Sequence, residues 1–206
     1  MKKRSLALVL FVLMSCLSSL SMAIGATEVS AMVPQTINLQ PLKGSFLQVK
    51  NIKPLKRPFK SEGGFIYFPN KGLLWHTKKP VDSIKLFAND GVYKIDEQGA
   101  AQKESQLDND FFLALFSADE QELEKFFIVE EVKSEENTHI YCLALTPINS
   151  TMSSLFSKIN LCVTQIEPRI KIPTKIVLIE VKGNMTEIQL QLTSAQITAE
   201  ELAYFD

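Results

Sequence analysis

The side chains best suited to covalent, metal or acid–base chemistry are scattered along this sequence and form no known reactive pattern. His76 and His139 each lack a second ligand at metal-binding spacing, and neither Cys-x-x-Cys nor His-Glu-x-x-His occurs. A Gly-x-Ser-x-Gly elbow and a glycine-rich phosphate loop are also absent. Glu130 and Glu131 are adjacent, so on a strand they point to opposite faces and cannot act as one acid–base pair. The sequence therefore indicates no catalytic residue, no metal site and no cofactor.

Aromatic side chains are more informative, because bulky rings concentrate in the short apolar segments of the first half of the chain. One explanation is that the rings pack an ordinary core. The other is that they line a sheet face that the protein's own side chains leave partly unfilled, since antiparallel barrels of this size can hold one small apolar ligand. The sequence pattern leaves both explanations open. The rings are Phe46, Phe65, Tyr67, Phe68, Trp75, Phe87 and Tyr93, and Trp75 is the only tryptophan.

The elements that would position these rings are mostly strands. Alternating apolar and polar residues bounded by turn formers are typical of strands buried on one face. The period changes in the middle of the chain, where Phe112 and Phe116 are four residues apart, and this predicts a helix over 108–117. The predicted strands cover residues 44–51, 65–68, 73–78, 83–88, 92–96, 126–132, 139–147, 157–166, 174–182 and 185–193.

The remaining segments complete a coarse prediction of the fold. Residues 52–64, which include Pro54 and Pro58, are predicted to form a loop. Ser117 and Glu120 have the spacing of a capping box, which predicts a second short helix, and Thr198 is placed to cap a C-terminal helix over 198–205. No strand–helix–strand alternation occurs, so the sequence favours an α+β fold in which helices pack on one face of an antiparallel sheet or open barrel.

The first 23 residues have the pattern of a secretory signal peptide. Lys2, Lys3 and Arg4 precede an apolar run, and the small residue Ala23 is the expected cleavage position, with cleavage after Ala26 as a second option. A membrane anchor is an alternative for which this serine-interrupted run is short, and lipidation at Cys16 is another. The prediction is an exported chain with one domain over residues 24–206.

Charge and cysteine content fit such an exported protein. Loss of the signal peptide removes three cations and no acid, which leaves a net charge of about −4 and no general attraction to nucleic acid. Cys142 and Cys162 then remain, and they either pair as a disulfide or stay as buried thiols. Both lie opposite the main apolar face of their predicted strands, so a cross-strand disulfide is compatible with the pattern.

Four sequence blocks together resemble the periplasmic outer-membrane lipoprotein carrier family (LolA-like), as a divergent branch. They occur in the family's order and cover about two thirds of the chain after residue 23. Two features depart from the family. Pro69 occupies the place of an arginine that latches the family's lid, and Pro34 and Pro41 leave little room for its first long helix. The blocks are "GSFLQVK", "GGFIYFPNKGLLWHTKKP", "SIKLFANDGVYKID" and "YCLALTP".

The resemblance implies an unclosed antiparallel half-barrel whose short helices cover an apolar concave face. It implies a monomeric periplasmic carrier that shields the acyl chains of lipoproteins or other lipids and moves them from an inner-membrane exporter to an outer-membrane acceptor. Positions that match the family's cavity are Leu73 and Trp75, with Phe46 and Phe65 on the lining strands. The full set of expected cavity residues is Phe46, Phe65, Tyr67, Leu73, Trp75, Phe87, Phe112 and Phe116.

Three questions stay open at the level of sequence. The helix over 109–117 is a candidate lid, or else an ordinary core helix. The cation-rich segment from Lys50 to Lys60 either contacts anionic headgroups or an acidic partner, or is a solvated loop. The alternative function is a non-catalytic structural or adaptor module of a cell-envelope assembly, which predicts a filled core. An enzyme acting on acylated substrates is a third hypothesis, for which no nucleophile is recognisable.

Overall fold

A computed structural model describes residues 41–105, 109–132, 140–167 and 170–205. These residues form one antiparallel sheet of eleven strands in the order β6-β5-β4-β3-β2-β1-β11-β10-β9-β8-β7. The strands are β1 Leu42–Asn51, β2 Phe59–Phe68, β3 Gly72–Lys79, β4 Ser83–Ala88, β5 Gly91–Ile95, β6 Ala101–Ser105, β7 Phe127–Val132, β8 Ile140–Pro147, β9 Phe156–Glu167, β10 Ile170–Glu180 and β11 Met185–Leu192. The helices are α1 Asp110–Ser117, α2 Glu120–Glu124, α3 Ser150–Leu155 and α4 Ala199–Leu202, which a 3-10 turn, Ala203–Phe205, follows.

The strand order consists of two meanders that meet at one pair of strands. Strands β1 to β6 add one after another in one direction, β7 to β11 return from the other side, and β1 pairs with β11 from Gly44–Leu192 to Asn51–Met185. Strands β6 and β7 stand at opposite ends of the order, so the sheet is not closed. The predicted α+β fold, an open antiparallel half-barrel with short helices, is therefore confirmed.

Alternation along the strands separates two apolar clusters on the two faces of the sheet. We call the face that carries Phe46, Phe65 and Trp75 the inner face, and α1 packs against it. On the opposite, outer face, Ile66 and Leu74 belong to a smaller cluster. Because neighbouring residues of a strand point to opposite faces, the segment "FIYF" supplies both clusters at once.

The end of the chain packs on part of the outer face. Tyr204 and Phe205 pack against the outer cluster. Thr198 accepts a hydrogen bond from the Glu201 backbone N–H and the Glu201 side chain accepts one from Thr198, so the predicted C-terminal cap is present as a capping box. Glu201 also lies 2.7 Å from Lys43 Nζ, which ties α4 to β1.

The same outer side carries a disulfide between β8 and β9. Cys142 and Cys162 are directly opposite each other in the register of these strands, with Cα atoms 4.0 Å apart, and their Sγ atoms are bonded. Their neighbours Leu143 and Leu161 point to the inner face and are buried. The disulfide therefore links the strands without occupying the inner face.

Several local predictions differ from the structure. The predicted loop over 52–64 is wrong beyond residue 58, because β2 begins at Phe59 and its polar first half pairs with β1. The strand β6 and the helix α3, "AQKES" and "STMSSL", were not predicted because neither segment has an apolar period. Asp119, not Ser117, caps α2, since the Asp119 carboxylate accepts from the Glu122 N–H.

The predictions for the N-terminal 23 residues, including Cys16, lie outside the described residues, as does His139. None of the helices in the described ranges is both long and apolar enough to cross a membrane.

Candidate ligand-binding site

The structure brings all eight predicted cavity residues together on the inner face. The strand register places Phe65 opposite Trp75, Tyr67 opposite Leu73, and Leu73 opposite Phe87, so one face of β2, β3 and β4 carries these side chains. Six of the eight belong to one buried cluster, and the other two pack against it at its edge. The buried six are Phe46, Phe65, Tyr67, Leu73, Trp75 and Phe116, and the edge residues are Phe87 and Phe112.

Two glycines make room for the rings on β1 and β2. A Cβ atom added at Gly44 would lie 2.8 Å from the Phe65 ring and 2.4 Å from the Gln191 carbonyl oxygen. A Cβ added at Gly63 would lie 1.9 Å from the His76 carbonyl oxygen and 3.0 Å from the Phe46 ring. Any larger residue would therefore push the ring or the neighbouring strand away. The "GSF" and "GGF" sequences thus let rings lie flat across adjacent strands.

The indole of Trp75 is packed among other rings. Its centroid is 3.7 Å from that of Phe46, with 21° between the ring planes, so the two are stacked. Phe116 meets Trp75 edge-on, with centroids 6.1 Å apart and an interplanar angle of 81°. Trp75 is 9% exposed and Phe116 is 0% exposed. Edge-on ring pairs such as Phe116 and Trp75 stabilise the cluster by about 0.5–1.5 kcal/mol each beyond burial.

The side chains that fill the inner face come from α1. Phe112 and Phe116, four residues apart, contact each other with ring centroids 5.7 Å apart. Phe112 also lies over Phe87, at 5.1 Å, and Phe116 over Phe65, at 5.5 Å. The helix ends at Ala118, which has a left-handed conformation with φ 51°. This arrangement differs from the expected partly unfilled face, because α1 occupies the space that the strands leave.

A groove of about 540 Å³ borders α1 and is lined by Tyr67, Leu113 and Phe126 among other residues. A second, smaller cleft on the inner face lies beside α1 and against Trp75. The cleft has a volume of about 230 Å³, below the roughly 300–1,000 Å³ that is usual for ligand pockets. Trp75, Phe87 and Phe112 form its apolar side. Its other side is polar and includes Gln48, Thr77, Ser83 and Lys85. This cleft therefore offers an apolar wall and a polar mouth, and it is too small for a long acyl chain while α1 is packed.

Tyr67 and Asn109 carry buried polar groups in and around the cluster. Burial raises the pKa of Tyr67 to about 12, and the carboxylates of Glu122 and Asp119 on and before α2 add to this effect. Asn109, directly before α1, is 6% exposed, and its Nδ2 has no hydrogen-bond partner among the residues that the structure describes. An unpartnered buried donor costs about 1–3 kcal/mol, so the packed position of α1 carries a local penalty.

Sequence reasoning missed the part of the inner face that the second meander supplies. Ile188 and Leu190 on β11 lie opposite Gln48 and Phe46, which extends the cluster across the junction of the meanders. Their alternation with polar residues was visible, but nothing in the pattern related them to the early aromatic rings. The buried aliphatic residues of this part are Leu143, Leu145, Ile159, Leu161, Val163, Ile176, Ile188 and Leu190.

His76 is the histidine that lies within the described ranges. His76 points to the outer face, where its Nε2 lies 3.2 Å from an Asp82 oxygen. Within the described ranges, no group of three or more His, Cys, Asp or Glu side chains is arranged to hold a metal ion.

Comparison with known proteins gives similarities of structure only. No family model matches the chain, and no curated protein matches its sequence. A LolA superfamily protein of Nitrosomonas europaea is similar over 78% of this chain and 89% of its own, with 9% identity and a TM-score of 0.43.

Two further solved structures are similar at comparable scores. The Pseudomonas aeruginosa MucA/MucB complex contains a chain that is similar over 79% of this chain and 55% of its own, with 15% identity and a TM-score of 0.43. An outer-membrane lipoprotein-sorting protein domain of Vibrio parahaemolyticus is similar over 79% and 91%, with 8% identity and a TM-score of 0.38. By its sequence blocks this chain resembles the LolA-like carriers, and its fold is an open half-barrel with a helix packed on the inner face.

Proposed function

We propose that this protein is an exported periplasmic carrier that shields acyl chains of lipoproteins or other lipids on its inner face and moves them from the inner to the outer membrane. The observation that carries the proposal is an aromatic inner face covered by an eight-residue helix, α1, on an unclosed sheet. When α1 lifts away, the face that Phe46, Phe65 and Trp75 line becomes the acyl-binding surface.

When an acyl chain replaces α1, the free energy gained by burying the chain is partly offset by the free energy lost from the side chains of α1. This partial offset suits a carrier, which must also release its cargo. A saturated chain of about fifteen methylenes gains roughly 12 kcal/mol when it is withdrawn from water. Leu115 and Phe116 of α1 are 0% exposed, and Phe111 and Phe112 are partly buried. Their burial contributes roughly 5–10 kcal/mol, which is lost when α1 lifts. Net binding of one chain is then weak enough for release, and cargo with several chains binds more tightly.

The buried amide of Asn109 favours the same movement. With α1 packed, Asn109 Nδ2 lacks a partner among the described residues, whereas water can satisfy it once the start of the helix leaves the sheet. The free-energy cost of lifting α1 is lower because water then forms this hydrogen bond. The cleft beside Phe112, with its polar mouth, is where a carboxylate or peptide headgroup stays in water while the chain enters.

The experiment that tests the proposal is transfer of a fluorescent diacylated peptide from donor to acceptor vesicles. We expect the purified protein to form a complex with the peptide, to blue-shift or quench Trp75 emission, and to accelerate transfer in proportion to its concentration. A folded protein that forms no complex and leaves transfer unchanged would remove the proposal.

The packed inner face specifically favours a second candidate, a structural or adaptor module of an envelope assembly. Trp75 at 9% and Phe116 at 0% exposure are what a permanently filled core predicts. The two functions differ in one respect, because the adaptor takes up no acyl ligand under any condition that keeps it folded.

A further inference from the structure

The connection between β1 and β2 exposes large apolar side chains next to cations. Leu55 is 53% exposed, and Phe59, the first residue of β2, is 58% exposed. The segment contains no acidic residue between Lys50 and Lys60. Its exposed cations are Lys53, Lys56, Arg57 and Lys60.

The turn between β10 and β11 lies beside this connection, and it also exposes apolar side chains next to a cation. The Lys53 backbone N–H donates to Asn184 Oδ1 at 3.0 Å, and Asn51 pairs with Met185 in the sheet. Val181 is 55% exposed, and its N–H donates to the carbonyl oxygen of Leu155, which is 51% exposed. These side chains surround one end of the sheet and lie on both of its faces, since Phe59 pairs with Lys50 and Met185 pairs with the next residue, Asn51. We call this end of the sheet the basic apolar patch. It consists of Leu55, Phe59, Leu155, Val181 and Met185 with Lys53, Lys56, Arg57, Lys60 and Lys182.

The charge of the patch is largely uncompensated. Glu180 precedes the turn, and its carboxylate accepts from Asn184 Nδ2 and lies 3.1 Å from Lys50 Nζ. None of the five patch cations forms an ion pair with a carboxylate of the described residues. The whole chain has a net charge of −1, so the patch is a local excess of positive charge on an acidic protein.

We propose that the basic apolar patch docks on the surface of an anionic lipid bilayer. Lys and Arg side chains are attracted by anionic headgroups, and apolar side chains between them enter the boundary with the acyl region. Singly exposed apolar residues are ordinary on protein surfaces. An acidic protein would neutralise the cations equally well, but only a bilayer surface takes both an extended set of cations and scattered apolar side chains without a shaped partner. The proposal goes beyond acyl-chain carriage and does not require it.

Flotation with lipid vesicles tests the proposal. The protein is purified from the periplasm after export, and its partition is measured at low salt on vesicles of one part phosphatidylglycerol to two parts phosphatidylcholine, and on phosphatidylcholine alone. The charge variant is K56Q/R57Q/K60Q, and the matched control K94Q/K103Q/K125Q removes the same number of exposed cations from β5, β6 and the end of α2. The apolar variant is L55S/F59S.

We expect strong binding to anionic vesicles and weak binding to neutral ones. Each cation is worth about fivefold in partition, so the charge variant loses about a hundredfold and the control changes little. The apolar variant loses about tenfold or more, and high salt weakens binding of the wild-type protein. The proposal would be overturned if the protein bound no vesicles, or if the charge variant and its control lost the same amount of vesicle binding. The patch would then bind an acidic protein or be exposed only to solvent. Circular dichroism and melting temperature show whether each variant is folded.

Discussion

Replacement of Phe116 by alanine separates a lid from a permanent core. Phe116 is 0% exposed and contacts the rings of Phe65, Tyr67, Trp75 and Phe112, so its truncation should lower the free energy of unfolding by about 3–5 kcal/mol. The same truncation removes about 1.5–3 kcal/mol from the packing of α1 on the sheet. If α1 competes with the ligand, a fatty acid should then bind about 10- to 100-fold more tightly.

The assay is a titration of the protein with a fluorescent fatty acid, alongside chemical denaturation. F205A is the matched control, because Phe205 packs on the outer face with its ring 5.7 Å from that of Phe68, and this variant should lose stability without any change in affinity. F116L keeps an apolar side chain and should show a smaller gain in affinity and a smaller loss of stability. This variant still tests the prediction if F116A does not fold. Unchanged or weaker affinity in both Phe116 variants would refute the competition between α1 and the ligand.

Three further predictions concern single groups. N109L removes a buried Nδ2 that has no partner among the described residues, and it removes no side-chain cap bond, so it should stabilise the protein by about 1–3 kcal/mol and weaken fatty-acid binding. A stability gain with unchanged affinity would contradict the role of Asn109 in lifting α1. Reduction of Cys142–Cys162 should cost about 3 kcal/mol in denaturation, and ligand affinity should not change because the disulfide lies on the outer side. The pKa of Tyr67 is about 12 when folded and about 10 when unfolded, so stability should fall between these values as pH rises, by roughly 2–3 kcal/mol, and Y67F should lack this loss in denaturation at increasing pH.

Part of the sheet could be predicted because some of its strands alternate between buried and exposed residues. In β11, Ile188 and Leu190 are buried between exposed Gln189 and Gln191, and such a period has one interpretation. The first half of β2, "FKSEGG", and the whole of β6, "AQKES", carry too little apolar content to show a period. These segments are strands because β1 and β5 offer them hydrogen-bonding edges, which is a tertiary cause that local sequence does not contain.

The candidate site was only partly accessible to sequence reasoning, for a similar reason. The types and periods of Phe65, Leu73 and Trp75 placed them on one face, and the structure brings them together there. Whether that face is empty or filled depends on where α1 lies. The spacing of Phe112 and Phe116 predicts an apolar helix face but not its docking position. The stacking of Phe46 on Trp75 additionally depends on Gly63, whose effect appears only when the strands are side by side.

The central claim is that an acyl chain replaces α1 against the inner face, and the single tryptophan allows a direct measurement. Trp75 lies at the centre of that face, so a stearic acid with a spin label near its methyl end should quench Trp75 emission saturably, with a midpoint that unlabelled stearic acid shifts by competition. A label near the carboxylate should also quench Trp75, because Lys85 at the polar mouth pairs with Trp75 in the register of β3 and β4. Emission that neither labelled acid quenches, in a protein that remains folded, would show that the aromatic face is a closed core and would contradict the account.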